Sequence, residues 1–125
     1  MTRYPWLEDY LLTKPGAAAE FKIEWQWMRY LVGGRQFAAI CTPGEAYGEY
    51  AGRTMVLLKC NPQLSEALRA EYPDIVPGFY SDKRHWNTVY LDGTLTDEML
   101  RSLCDMSYQL VFDKLTKKMQ REIIS

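Results

Sequence analysis

The densest run of contact chemistry in the chain is Lys83-Arg84-His85-Trp86-Asn87-Thr88. Lys83 and Arg84 can neutralise phosphates. His85 and Trp86 offer flat rings for stacking, and Asn87 can read the edge of a base. Gathered on one projecting edge, these residues would make a nucleic-acid contact. The same run also has a purely structural reading. On a strand, Trp86, Thr88 and Tyr90 share one face, while His85, Asn87, Val89 and Leu91 share the other. Trp86 is then core, and Asn87 is a turn or bulge residue that satisfies backbone groups. Asp82, directly before the two cations, lowers the local positive charge. A second basic set, Lys114, Lys117, Lys118 and Arg121, suits the last turns of a helix without any ligand, or extends a basic surface.

Other chemistry is sparse. His85 is the only histidine, so it would have to serve as the base of any nucleophilic triad, and the chain has no Gly-x-Ser-x-Gly elbow. The three cysteines, Cys41, Cys60 and Cys104, lack the two-residue gap of redox and zinc motifs, and their odd number argues against a disulfide framework. Each lies in an apolar stretch, which predicts small buried side chains. Cys60, beside Lys59, is the one with a basic neighbour. Gly33-Gly34-Arg35 lacks the Gly-Lys-Ser/Thr ending of a phosphate loop. Glu45 and Glu49 flank Tyr47 either as a solvated loop tip or as a carboxylate pair. The expectation is a non-enzyme with no catalytic residue, metal or cofactor.

The elements that position these residues follow from periodicity. Residues 4–13 read as a helix, with Pro5 in its first turn and Leu7, Tyr10 and Leu11 on one side, closed by Lys14-Pro15-Gly16. The period then changes to two: Phe21, Ile23, Trp25 and Trp27 alternate with Glu20, Lys22, Glu24 and Gln26 in a strand that runs on through Tyr30-Leu31-Val32. Gly33-Gly34 predicts a tight hairpin turn. Residues 37–41 return as a strand that is apolar on both faces and therefore central. Residues 42–53 form a long loop or a hairpin, and residues 54–60 the next strand. Asn61 caps a second helix with Pro62 at its first position and a buried stripe of Leu64, Ala67, Leu68 and Tyr72. A short extended piece, 75–80, and a strand, 88–91, follow. Thr96 caps a long last helix that buries Leu100, Leu103, Cys104, Ser107, Val111 and Leu115 and carries Lys114 to Arg121 at its far end. Strands grouped between helices indicate an α+β fold of two layers, an antiparallel sheet covered by helices on one side. Leu103, Val111, Ile40 and Leu57 are expected to share one core.

The chain has 125 residues, enough for one domain spanning 1–125. Fifteen Lys and Arg against sixteen Asp and Glu exclude a polybasic nucleic-acid coat. No apolar run is long enough to span a bilayer, and Glu8 and Asp9 stand where an export signal would be apolar. The expectation is a soluble, cytoplasmic monomer that does not engage membranes.

Several short motifs together resemble the MmcQ/YjbR family of small bacterial proteins. They are Lys14-Pro15-Gly16-Ala17, Val32-Gly33-Gly34, Leu58-Lys59-Cys60-Asn61-Pro62, Leu68-Arg69-x-x-Tyr72-Pro73, Val76-Pro77-Gly78, the run Lys83 to Val89, Leu91-Asp92-Gly93-Thr94-Leu95, and Asp105-x-Ser107-Tyr108-x-Leu110-Val111. The likeness covers about residues 4–116. It implies a fold similar to the type III secretion chaperone group, and a double-wing DNA-binding role without enzymatic activity. Carried over by position, the nucleic-acid-binding residues are Lys59, Lys83, Arg84, His85, Trp86 and Asn87. Two departures are visible: Tyr80 stands where the family usually has a second histidine, and Asp82 where a neutral Asn is common. The implied partner is DNA. The alternative is an unidentified protein held by a protein-interaction or chaperone-like module through the aromatic face of Phe21, Trp25 and Trp27. Buried under a helix, those rings would serve the core instead.

Overall fold

The computed structural model describes residues 3–79 and 81–124. Tyr80, which ends the extended piece read at 75–80 and replaces the family's second histidine, lies outside the described residues. The elements are α1 (Leu7–Leu12), β1 (Ala18–Lys22), β2 (Trp27–Val32), β3 (Arg35–Cys41), β4 (Met55–Lys59), α2 (Pro62–Glu71), β5 (Ile75–Pro77), β6 (Trp86–Tyr90), α3 (Asp97–Phe112) and α4 (Lys117–Ile124). The strands form one antiparallel sheet in the order β1-β2-β3-β4-β6-β5. This is the expected α+β class, and β3 is interior, as its two apolar faces require.

Strand alternation divides the apolar residues between two faces. Tyr30, Val32, Ala38, Val56, Leu58 and Val89 pack under α1 and α3, against Leu7, Leu11, Leu100, Leu103, Cys104 and Val111. Trp27, Ala39, Cys41, Met55, Leu57 and Tyr90 face the other way, where Phe79 and Tyr50 cover them. The expected single core is therefore split by the sheet. Leu103, Val111 and the half-buried Ile40 lie on the helix side, but Leu57 lies on the opposite side. Val56 and Leu57 are adjacent in one strand and cannot share a face. The non-helical side is roofed in part by a 3-10 segment, Glu45–Tyr50, inside the long β3–β4 connection.

Three other expectations change. The alternation over residues 20–32 is two strands, not one. A turn at 23–26 folds β1 back onto β2, with Lys22 opposite Trp27. The Lys22 carbonyl accepts from the amides of Trp25 and Gln26, and Gln26 takes a positive φ of 59°. With neither Gly nor Pro in it, this turn leaves no mark on the alternating pattern. In α2 only Ser65 and Leu68 are buried, while Leu64 and Ala67 are exposed. The Asn61 cap, whose Oδ1 accepts from the Gln63 amide, fixes the phase of that helix, which meets the sheet at its β5 edge and reaches β6 through Arg69. The long last helix is two helices. α3 ends at Phe112, and Thr116 caps α4 by accepting from the Met119 amide. Gln120 Nε2 ties the break down by donating to the carbonyls of Phe112, Asp113 and Leu115. Lys117 and Lys118 thus stand in the first turn of α4, where the helix dipole disfavours cations, and not in a last turn.

The Gly33-Gly34 turn is as expected, with φ of 56° and 80° and Val32 opposite Arg35. Gly33 answers a second demand: a Cβ there would stand 2.8 Å from both terminal methyls of Leu115. The turn can therefore pack directly onto the end of α3, which brings Arg35 close to Lys114.

Candidate nucleic-acid interface

The 82–87 segment is a pinned turn leading into β6. The Asp82 carboxylate accepts from the Arg84 amide at 2.9 Å and faces His85 Nδ1 at 2.6 Å. That amide and that ring hold the carboxyl below the usual carboxylate range. The Asp82 carbonyl accepts from the amides of His85 and Trp86. Lys83 Nζ donates to the Gly78 carbonyl at 2.8 Å. Arg69, reaching across from α2, closes the arrangement. Its Nε donates to Asn87 Oδ1 at 2.7 Å, and its Nη2 to the carbonyls of Lys83 and Trp86.

The six residues expected at one interface are accordingly distributed. Asn87 is 3% exposed, with its carboxamide oxygen committed to Arg69. Lys83 and Arg84 line a groove against α2 with Gln63, Glu66 and Arg69, and Glu66 offsets their charge there. His85 pairs with Asp82. Lys59 and Trp86 lie opposite each other across β4 and β6 and open onto a different hollow. Trp86 is half-buried, packed against the core of the non-helical face and exposed at the hollow.

That hollow, about 320 Å³, is bounded by Arg29, Arg35, Gln36, Lys59, Trp86, Val111 and Lys114. The β2–β3 turn supplies Arg35, the end of β4 supplies Lys59, and the residues just beyond α3 supply Lys114. Arg29 is neutralised by Glu20 at 2.7 Å and steadied by Gln36 at 2.8 Å. Arg35, Lys59 and Lys114 have no ion-pair partner among the described residues. Burial, followed by repulsion from Lys114 and Arg35, pushes the Lys59 ammonium below its ordinary pKa. An anion entering the hollow would relieve that repulsion. Arg35 was visible in the sequence only as a lone cation after a turn, and Lys114 as one of the basic set at the end of the last helix. Their convergence depends on how closely the Gly33 turn packs on α3. Arg69 carried no chemical signal beyond its place in a motif.

The thiols are as their neighbours suggested: Cys41, Cys60 and Cys104 are free and buried. Burial pushes both Cys41 and Cys104 up to about 12. Native protein treated with a bulky maleimide is expected to label slowly at all three, and to label fully only in denaturant. Rapid stoichiometric labelling in buffer would contradict this. Among the described residues no three His, Cys, Asp or Glu side chains are grouped to hold a metal ion, and no helix is long and apolar enough to cross a membrane. Phe21 on β1 and Ile23 and Trp25 in the β1–β2 turn are 53%, 70% and 54% exposed, so these side chains do not pack under a helix; Trp27 alone of the expected aromatic set is buried.

The chain is similar over nearly its whole length to known proteins. A family model described as YjbR matches residues 12–110. The uncharacterised protein YjbR of Escherichia coli K12 is 33% identical over 118 residues, which is 94% of each chain. The uncharacterised protein YbdF of Escherichia coli O157:H7 is 36% identical over 75 residues, 60% of this chain and 62% of that one. A crystal structure of the Deinococcus radiodurans protein DR2400, described as a DUF419 domain, superposes with a TM-score of 0.81 at 29% identity, covering 98% of this chain and 88% of the other. A Pseudomonas syringae protein superposes with a TM-score of 0.72 at 27% identity, covering 88% and 98%. None of these descriptions names a reaction. With a family model matched over most of the chain and a relative aligned almost end to end, the chain belongs to the YjbR family.

Proposed function

We propose that this protein is a non-catalytic, DNA-associated protein that holds backbone phosphates at the hollow of Arg35, Lys59 and Lys114. It acts in the cytoplasm as a monomer. The observation that carries this reading is the convergence of three cations, without ion-pair partners among the described residues, on one hollow beside the flat ring of Trp86. Phosphate contacts position a protein on DNA without reading sequence, and Asn87 is turned inward, so the binding is non-specific. Three cations neutralise about two to three phosphates. The expected log-log salt slope is then roughly −2 to −3, at about −0.9 per phosphate, with a dissociation constant on the order of 10⁻⁴ to 10⁻⁶ M near physiological salt. Fluorescence anisotropy with labelled duplex and single strands at several salt concentrations tests this. Lys59→Ala with Lys114→Ala is expected to flatten the slope by about two. Lys83→Ala with Arg84→Ala reports on the separate α2 groove, and a larger loss there would move the interface to the 82–87 turn. Absence of binding at low salt by the folded protein would overturn the DNA reading.

The exposure of Phe21, Ile23 and Trp25 favours a second reading, a chaperone-like module that holds apolar polypeptide on its aromatic wing. Phe21 lies on β1, an edge strand whose outer backbone groups are open to an added strand, and Ile23 and Trp25 lie in the turn that follows it. Such a module is expected to slow the aggregation of a reduced, unfolded client protein, and Ile23→Ser with Trp25→Ser is expected to abolish the effect. An unchanged aggregation rate with the wild type would dismiss it.

A further inference from the structure

A second hollow lies at the opposite end of β2 from the cationic one. Its volume is about 370 Å³, within the range of small-molecule sites, and Glu24, Trp25, Trp27, Tyr47 and Phe79 line it. The rings contact in series. Trp25 meets Trp27 at 5.3 Å between centroids, Trp27 meets Phe79 at 6.1 Å, and Phe79 meets Tyr47 edge-on at 5.2 Å. Trp27 and Phe79 are 7% and 5% exposed and form the floor, while Trp25 and Tyr47, at 54% and 39%, form the rims. Among the described residues of the lining, the one charged group is the Glu24 carboxylate. The segment that carries Tyr47 adds Glu45 and Glu49, and burial followed by Glu49 raises the Tyr50 phenol.

Aromatic rings lining a concavity with a carboxylate at its edge attract a cation whose charge is spread over alkyl groups, because the ring quadrupoles and the carboxylate act in the same direction. Trp25, a rim of the hollow, has two of the chain's own cations beside it, neither of which lines the hollow. Lys22 Nζ sits 5.3 Å from the Trp25 ring centroid and 3.7 Å from Glu24 Oε2, and the Arg29 guanidinium carbon lies 6.0 Å from the same ring. We propose that this aromatic hollow is a binding site for a small, free, alkylated ammonium compound, seated on Trp27 and Phe79 between Trp25 and Tyr47.

The test uses choline and its neutral isostere 3,3-dimethylbutan-1-ol, with the tryptophan indole N–H resonances of the full chain as readout. Choline is expected to shift the Trp25 and Trp27 signals saturably and to bind about tenfold more tightly than the alcohol. Trp25→Leu, which keeps apolar bulk at a half-exposed position but removes the π-face, is expected to weaken choline about tenfold, read on Trp27. Glu24→Gln is expected to weaken choline and to leave the alcohol unchanged. Equal affinity for the two compounds, unchanged choline binding in Trp25→Leu, or no saturable shift would each overturn the site. Binding to phosphatidylcholine vesicles without binding to free choline would overturn the assignment to a free cation. None of these outcomes bears on the salt-dependent DNA titration at the other end of β2.

Discussion

Arg69→Ala is expected to destabilise the protein by about 3 kcal/mol, measured by urea unfolding. One guanidinium holds three acceptors on the segment entering β6: Asn87 Oδ1 and the carbonyls of Lys83 and Trp86. Hydrogen bonds from a charged donor contribute about 1.5–3 kcal/mol each, and a buried acceptor left unpaired carries its own desolvation cost. Full additivity is not expected, because Arg69 is half-buried and the two carbonyls regain water once it is gone. The Asn87 carboxamide, 3% exposed, does not. Arg69→Lys is expected to recover less than half of the loss, since an ammonium cannot present the planar fork that reaches three acceptors at once. In a double-mutant cycle, Arg69→Met with Asn87→Leu is expected to cost less than the sum of the single changes, because removing both partners leaves no orphan. A change within about 0.5 kcal/mol for Arg69→Ala would mean that Asp82 and β6 hold the segment alone.

That outcome bears on what the sequence made legible. The residues that carried the family resemblance are largely connectors between elements. Asn61 caps α2, and Arg69 clamps Asn87. The Asp74 carboxylate accepts from the Thr94 amide just past Gly93. Asp105 on α3 is paired with Lys14 and accepts from Tyr10 at 2.6 Å, and those groups hold its carboxyl below the usual range against the opposing effect of burial. Tyr108 donates to the Pro15 carbonyl. Such a fingerprint identifies the fold because each motif sits where two elements must meet. For the same reason it says little about ligands: a side chain spent on a neighbouring element is not presented outward. Asn87 illustrates this, polar and in the same short run as Lys83 and Arg84, yet facing the interior.

The candidate sites were hidden for a different reason. Arg35, Lys59 and Lys114 come from three elements, and Trp25, Tyr47 and Phe79 from three others. No local pattern joins them. The turn at 23–26 also had to be recognised before Trp25 could be separated from Trp27. Read as one strand, the two lie on the same face; in the fold one is a rim and the other a floor.

Ser107→Ala is expected to cost about 2–4 kcal/mol and to disturb the cationic hollow without touching any of its charges. The register of β3 on β4, Ala38 opposite Leu58 and Ala39 opposite Leu57, would next bring Phe37 opposite Lys59, but the pairing stops at Ala38. On its other side β3 is irregular at the same place. Tyr30 faces Ala38 and Leu31 faces Gln36, so Phe37 is the extra residue of a bulge. The Ser107 hydroxyl, fully buried on α3, stands where that rung is missing, accepting from the Lys59 amide at 2.8 Å and donating to the Phe37 carbonyl. Without it two buried backbone groups lose their partner, each at about 1–3 kcal/mol. The splayed strands set the end of β4, and with it the position of Lys59 opposite Trp86. Faster hydrogen exchange at the Lys59 amide is therefore expected to accompany the stability loss, together with a flatter salt slope for DNA. A loss below about 1 kcal/mol with the Lys59 amide still protected would show that β3 and β4 close directly onto each other, and that the hydroxyl fills the gap without holding it open.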